Sequence, residues 1–230
     1  MEEELKQVKV KTQDGERLLT EAETKRYNNL EKRTEELTAN GYKRRDCLLS
    51  IAKANIVGNL VMLIPIAVMC VIYVIVNGFN FMPKAAIAQF GGAAPLYGLL
   101  AFFASIACLV VHELIHGVFW AMGAQNGWKD VQFGFVKKTL TPYCTCLSPI
   151  KKPIYIIGAL MPMTILGIAT GVAAILLGNP FIMLFSIVHV FGGAGDVLIV
   201  GMILKEKVEG KDVLIFDHPY DCGFILFEKK

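Results

Sequence analysis

Four stretches of the chain, about 56–76, 96–122, 154–177 and 181–204, are each apolar over a length that crosses a bilayer as a helix. In hydrocarbon every backbone amide and carbonyl must be satisfied internally, so runs of this kind leave the helix as the spanning structure. Composition agrees, since 54% of the 230 residues are hydrophobic and the mean hydropathy is +0.51, well above an ordinary soluble domain. The first run carries no charge, and its weak points, Asn59 and Pro65, are of a kind that neighbouring helices satisfy. Gly178-Asn179-Pro180 reads as a tight turn that makes the last two runs an antiparallel hairpin. The expected fold is an all-α polytopic membrane protein with four transmembrane helices.

Charge sets the expected orientation. Lys43, Arg44, Arg45 and Lys53 precede the first run, Lys129, Lys137, Lys138, Lys151 and Lys152 lie between the second and third, and Lys205 and Lys207 follow the fourth. The 77–95 connection carries only Lys84 and the 178–180 turn carries none. The positive-inside rule then places both termini in the cytoplasm, in an integral protein of the cell membrane. The first run begins after residue 55, behind a charged segment, so it is expected to insert and stay rather than be removed as a signal peptide. Cys47, Cys144, Cys146 and Cys222 fall on the cytoplasmic side, and Cys70 and Cys108 within runs, so free thiols are expected. The one-residue gap of Cys144-Thr145-Cys146 is shorter than that of a zinc knuckle.

The chain divides into a cytoplasmic N-terminal region at 1–50, a four-span core at 51–204 and a cytoplasmic tail at 205–230. Residues 1–46 hold eleven basic and eleven acidic side chains, a balance suited to a solvated region. Thr20 with Glu23 reads as a capping box that starts a charged helix over about 21–39. Between the second and third runs, alternation at 131–136 predicts a short strand, with another around 139–144, which together form a small cytoplasmic-side β-hairpin. Its edge can receive an extended substrate, or the segment can be a connector with a few anchoring aromatics. In the tail, 213–216 suggests one more small strand, followed by Asp217-His218-Pro219 and the apolar 224–227. This tail is expected to pack near the cytoplasmic opening and is not a fifth span. No dinucleotide loop or phosphate-binding glycine motif is present, and no nucleic-acid partner is expected.

The chemistry concentrates in His112-Glu113-Leu114-Ile115-His116, inside the second apolar run. Ionisable groups near the centre of a membrane helix cost roughly 2.5–3.5 kcal/mol each, so they imply a function. On a helix His112 and His116 stand one turn apart on one face, the spacing two imidazoles need to grip one metal. Glu113 projects beside the pair, placed to take a proton from water activated by a divalent ion such as Zn2+. A third metal ligand is needed, and Asp196 is the candidate, being the lone acidic residue of the fourth run and flanked by small residues at 192–195. Asp196 precedes Lys205 by roughly 14 Å of helix and His116 precedes Lys129 by roughly 20 Å, which puts the three groups at compatible depths. His189, two turns before Asp196, is a possible supporting residue, as a substrate or oxyanion donor, a donor to Asp196 or a packed polar group. His218 belongs to the tail, where it can fold over the mouth or remain a surface residue.

On these residues the chain resembles the zincin-type membrane peptidases of the DUF3267 family and, more distantly, the site-2 intramembrane metalloproteases. The resemblance runs over about 50–227, through the His112 to Gly117 motif, His189 to Asp196, and Asp217-His218-Pro219 with Gly223-Phe224. It implies that His112, His116 and Asp196 are metal ligands and that Glu113 is the catalytic base. Site-2 proteases present their aspartate in an Asn-Pro-Asp-Gly or Leu-Asp-Gly context, whereas this chain has Ala194-Gly195-Asp196-Val197, and it carries no PDZ-like domain. The function so implied is zinc-dependent peptide-bond hydrolysis in membrane-embedded or membrane-adjacent proteins, with the lipid bilayer and a membrane protein or peptide substrate as partners. A noncatalytic, metal-stabilised binding or chaperone-like protein and a hydrolase of lipids or amphiphiles are the alternatives.

Overall fold

The computed structural model describes residues 8–13, 15–79, 88, 91–136, 141–210 and 212–229. Lys84, Lys137, Lys138 and positions 139 and 140 of the second expected hairpin strand lie outside the described residues. The helices are α1 (Glu21–Ala39), α2 (Ile51–Asn77), α3 (Ala94–Ala121), α4 (Lys152–Leu177), α5 (Pro180–Gly192) and α6 (Ala194–Lys205). The strands are β1 (Lys9–Thr12), β2 (Gly15–Leu18), β3 (Lys43–Leu48), β4 (Val131–Val136), β5 (Thr141–Cys146), β6 (Ile150–Lys151), β7 (Asp212–Asp217) and β8 (Gly223–Lys229).

Helices α2, α3 and α4 are each long and apolar enough to cross a membrane, which supports an integral-membrane location. Exposed side chains such as Ile64, Ile75, Leu96, Phe102 and Leu176 cover their outer faces, a surface that lipid matches and water does not. Inside, Met62, Ile66, Met69 and Tyr73 of α2 pack against Ala174, Met183, Val190 and Ala194.

The fourth run is not one straight helix. It is a pair, α5 and α6, bent by 44° at Gly193. Two adjacent glycines weaken the helix there, and a Cβ at Gly193 would meet the Met163 side chain at 2.7 Å, so only glycine lets α4 come this close. Helix α4 answers with a π-helical stretch at Met163–Ala169. The carbonyl of Gly167 within it accepts from Ser186 Oγ at 2.7 Å and Thr170 Oγ1 at 3.0 Å, which keeps the altered backbone satisfied.

The all-α expectation is overturned: among the described residues eight strands form three sheets beside the long apolar helices, a mixed α/β fold. β1 and β2 make one hairpin, and β4 and β5 make another at the expected place beyond α3. The third sheet is antiparallel in the order β3-β8-β7-β6 and joins the N-terminal region, the tail and the residues before α4. Its centre is β8, the apolar 224–227 segment. Phe224 and Leu226 face a core with Trp120, Tyr155, Val200 and Ile203, while Ile225 and Phe227 face Leu30 of α1. A strand buried on both faces reads as a continuous apolar run, not as an alternation, and such a run carries no period to mark it as a strand. The partner β3, written Lys-Arg-Arg-Asp-Cys-Leu, hides behind its charges.

Helix α1 starts at the capping box foreseen in the sequence, with the Glu23 amide donating to Thr20 Oγ1 and the Thr20 amide donating to Glu23. It lies over the sheet and the hairpin. Arg26 donates to Tyr143 Oη and to the Pro219 carbonyl, and Asn29 donates to the Leu147 carbonyl.

Candidate metal centre

His112 and His116 sit four residues apart near the end of α3, and both are buried. Asp196 sits in the first turn of α6, just past the bend, and comes to them from the side. His112 Nε2 stands 3.3 Å from Asp196 Oδ2 and His116 Nε2 stands 3.5 Å from Asp196 Oδ1. One ligand atom from each of the three lies within 4.8 Å of the others. Donors at about 2.0–2.1 Å from a zinc-sized ion in tetrahedral array are about 3.3–3.4 Å apart, so two imidazoles and a carboxylate at these separations can hold a divalent metal.

The surroundings prepare His116 for that role. Its Nδ1 lies 2.9 Å from the Gly158 carbonyl of α4, and since a carbonyl only accepts, Nδ1 carries a proton and Nε2 is the nitrogen turned toward Asp196, the one available to ligate a metal. The ring stacks on Trp120, with centroids 4.8 Å apart and planes at 17°, and Trp120 stacks in turn on Tyr155 at 5.3 Å and 20°. Trp120 Nε1 donates to the Tyr155 carbonyl at 3.3 Å. A Cβ at Gly158 would meet Trp120 at 2.4 Å, so this glycine makes the room in which the indole lies.

Beside the cluster opens a cleft of about 230 Å³. Glu113 lines it, as do Tyr143 and Cys144 of β5 on one side and Gly192 and Gly195 of the α5–α6 bend on the other. A Cβ at Gly192 or at Gly195 would meet nothing within 4 Å, so both leave open space. Gly117, next to His116, acts differently. A Cβ there would meet Phe133 at 2.7 Å and Trp128 at 3.1 Å, and its absence seats the hairpin on α3.

His189 is fully buried on α5 with its ring 4.4 Å from Phe185. Neither of its nitrogens has a hydrogen-bond partner among the described residues, and it is not among the residues that line the cleft. His218 lies in the turn between β7 and β8, where its Nδ1 accepts from the Asp221 amide at 2.9 Å. Among the described residues Cys144 and Cys146 join no group of metal-binding side chains. Burial pushes both thiols up, Cys146 to about 11, and the charges of Asp217 and Glu113 add to the effect at Cys144.

Residues 105–209 match the DUF3267 family model, described as "Putative zincin peptidase". The matched stretch holds the motif of α3 and Asp196 and ends before β7. No curated protein and no solved structure matches the chain.

The sequence pointed to the His, Glu and Asp side chains but not to Trp120, Tyr155 or Gly158, which set His116 in place. Trp120 extends the i, i+4 series of His112 and His116, and that spacing was the one signal available. Tyr155 and Gly158 reach the site only by the packing of α4 on α3.

Proposed function

We propose that this chain is a zinc-dependent peptidase that hydrolyses peptide bonds in membrane-embedded or membrane-adjacent proteins. The observation that carries this reading is the convergence of His112, His116 and Asp196 beside a cleft into which Glu113 faces. The family match over residues 105–209 supports it. His112, His116 and Asp196 would hold the metal, three protein ligands being the number that leaves a position open for catalysis. When bound, zinc supplies Lewis-acid polarisation of a carbonyl and makes water more acidic.

Glu113 is the base in this reading. Its carboxylate takes one proton from the attacking water as hydroxide adds to the scissile carbonyl carbon. It then delivers that proton to the amide nitrogen as the C–N bond breaks, so the products are a carboxylic acid and an amine. A helical substrate must unwind to enter, because its carbonyls are otherwise bonded within the helix. The bare backbone at Gly192 and Gly195 suits the close approach of such an extended segment. With both termini cytoplasmic, the cleft opens toward the inner face.

The test is metal analysis of the detergent-purified protein together with cleavage of a membrane substrate in proteoliposomes. The wild type is expected to hold one zinc per chain, and His116→Ala and Asp196→Ala to lose it. Glu113→Gln is expected to keep zinc and to lower cleavage by at least 10²-fold, the scale of a lost general base. Cleavage unchanged in Glu113→Gln, or release of labelled lipid fragments in place of peptides, would overturn the reading.

A further inference from the structure

Asp217, the last residue of β7, lies outside the metal cluster and outside the family match, yet two supports of the motif end on its carboxylate. The first support is β5. Thr145 Oγ1 donates to Asp217 Oδ2 at 2.9 Å and the Cys146 amide donates to the same oxygen at 3.1 Å. Amides of alternate residues in a strand point the same way, so the Cys144 amide, like that of Cys146, points out of the hairpin, and Cys144 lines the cleft together with Glu113. The second support is α4. Tyr155 Oη donates to Asp217 Oδ1 at 2.5 Å, and the same ring is the base of the stack that runs through Trp120 to His116. Gly158, whose carbonyl accepts from His116, lies one turn further along that helix.

We infer that Asp217 is a positioning residue that places Glu113 and His116 together, by holding β5 with one carboxylate oxygen and Tyr155 with the other. The inference rests on the reading of the cluster as a metal centre. A carboxylate suits this position because it only accepts, and three donors converge on it. Its own position is set by β7, paired to β6 on one side and to β8 on the other. A group of the extramembrane sheet thereby aligns a motif that sits in an apolar helix. Replacing it strands the Tyr155 hydroxyl and the Cys146 amide without an acceptor, which loosens the strand and the aromatic stack at once.

The experiment uses the full chain in detergent, with Asp217→Ala, Asp217→Asn and Tyr155→Phe beside the wild type. Zinc affinity is read by competition with a chromophoric chelator, and amide exchange is read in metal-free protein across β5 and β8. Asp217→Ala is expected to weaken zinc binding by about 10- to 100-fold, the scale of a lost partner behind the ligands. Exchange at Cys144 and Cys146 is expected to rise while β8 stays protected. Asp217→Asn, whose Oδ1 still accepts from Thr145 and the Cys146 amide while its Nδ2 donates to Tyr155 Oη, is expected to recover most of the affinity, and Tyr155→Phe to lose less than Asp217→Ala. Unchanged zinc affinity in Asp217→Ala, or unchanged exchange at Cys144 and Cys146, would overturn the inference. If Asp217→Ala loses β8 protection as well, the folded variants decide: Asp217→Asn and Tyr155→Phe both equal to wild type in affinity and exchange would refute it. A wild type that binds no zinc would sink the metal reading alone, and the exchange of metal-free Asp217→Ala then decides whether Asp217 holds the strand.

Discussion

Gly158 stands where a methyl group would meet the Trp120 ring at 2.4 Å, whereas Gly192 and Gly195 stand where it would meet nothing. The two situations predict opposite outcomes. Gly158→Ala must displace the indole or part α4 from α3, an overpacking cost of about 1–3 kcal/mol, and thermal unfolding in detergent should show it together with weaker zinc binding. Gly192→Ala and Gly195→Ala should leave stability equal or higher by up to about 1 kcal/mol, since alanine is the better helix former. They fill the cleft wall, so cleavage should fall while zinc content holds. The histidine pair of the cluster was legible because an i, i+4 histidine pair with a glutamate, set in an apolar run, has a spacing and a cost that ask for explanation. The different roles of these glycines were not, because a glycine announces an absence and only the facing side chain gives the absence a meaning.

Helix α1 shows how far local rules reach at the scale of an element. Its start, its length and its cap all follow from Thr20, Glu23 and the charged residues after them. Thr20→Ala is expected to cost about 1 kcal/mol of helix stability, readable as faster amide exchange in the first turn. Burial works to raise the Glu23 pKa, but the hydrogen bonds from Arg17 and Thr20 outweigh it and bring the carboxyl down from the ordinary 4.5 to about 2. A carboxyl held low contributes its stabilisation above its unfolded pKa and loses it as the pH falls through the folded one. Exchange protection of α1 should therefore hold at neutral pH and decline from about pH 4.5 toward pH 2. Arg17→Ala should remove part of that dependence, the bonds from Thr20 holding the rest. What α1 lies on was not readable from its own residues: Arg26 and Asn29 find Tyr143, Pro219 and Leu147 more than a hundred positions away in the chain.

For the whole molecule, the central strand β8 is where the apolar helices and the layer of α1 meet. Phe224 and Leu226 pack toward the helices and Ile225 and Phe227 toward α1, all four fully buried. Phe224→Ala is expected to destabilise the protein by about 3–5 kcal/mol and Leu30→Ala by about 2–5 kcal/mol, measured as the shift of thermal unfolding in detergent. The first should disturb the stack under His116 and weaken zinc binding. The second should loosen α1 and leave zinc affinity near that of the wild type, because its cluster lies on the opposite face of the sheet. The sequence by itself determined the apolar helices and the histidine pair, because length, hydropathy and the 3.6-residue period are properties of neighbours along the chain. It also marked the hairpin β4–β5, whose strands are joined by a short connection. Only the tertiary structure decided that residues 43–48 and 223–229 are one ladder, that the last apolar run bends at Gly193, and that Thr145, Cys146 and Tyr155 meet at the Asp217 carboxylate. Those features are made by contacts between distant segments, and their energy resides in the pairing, so neither partner carries the signal alone.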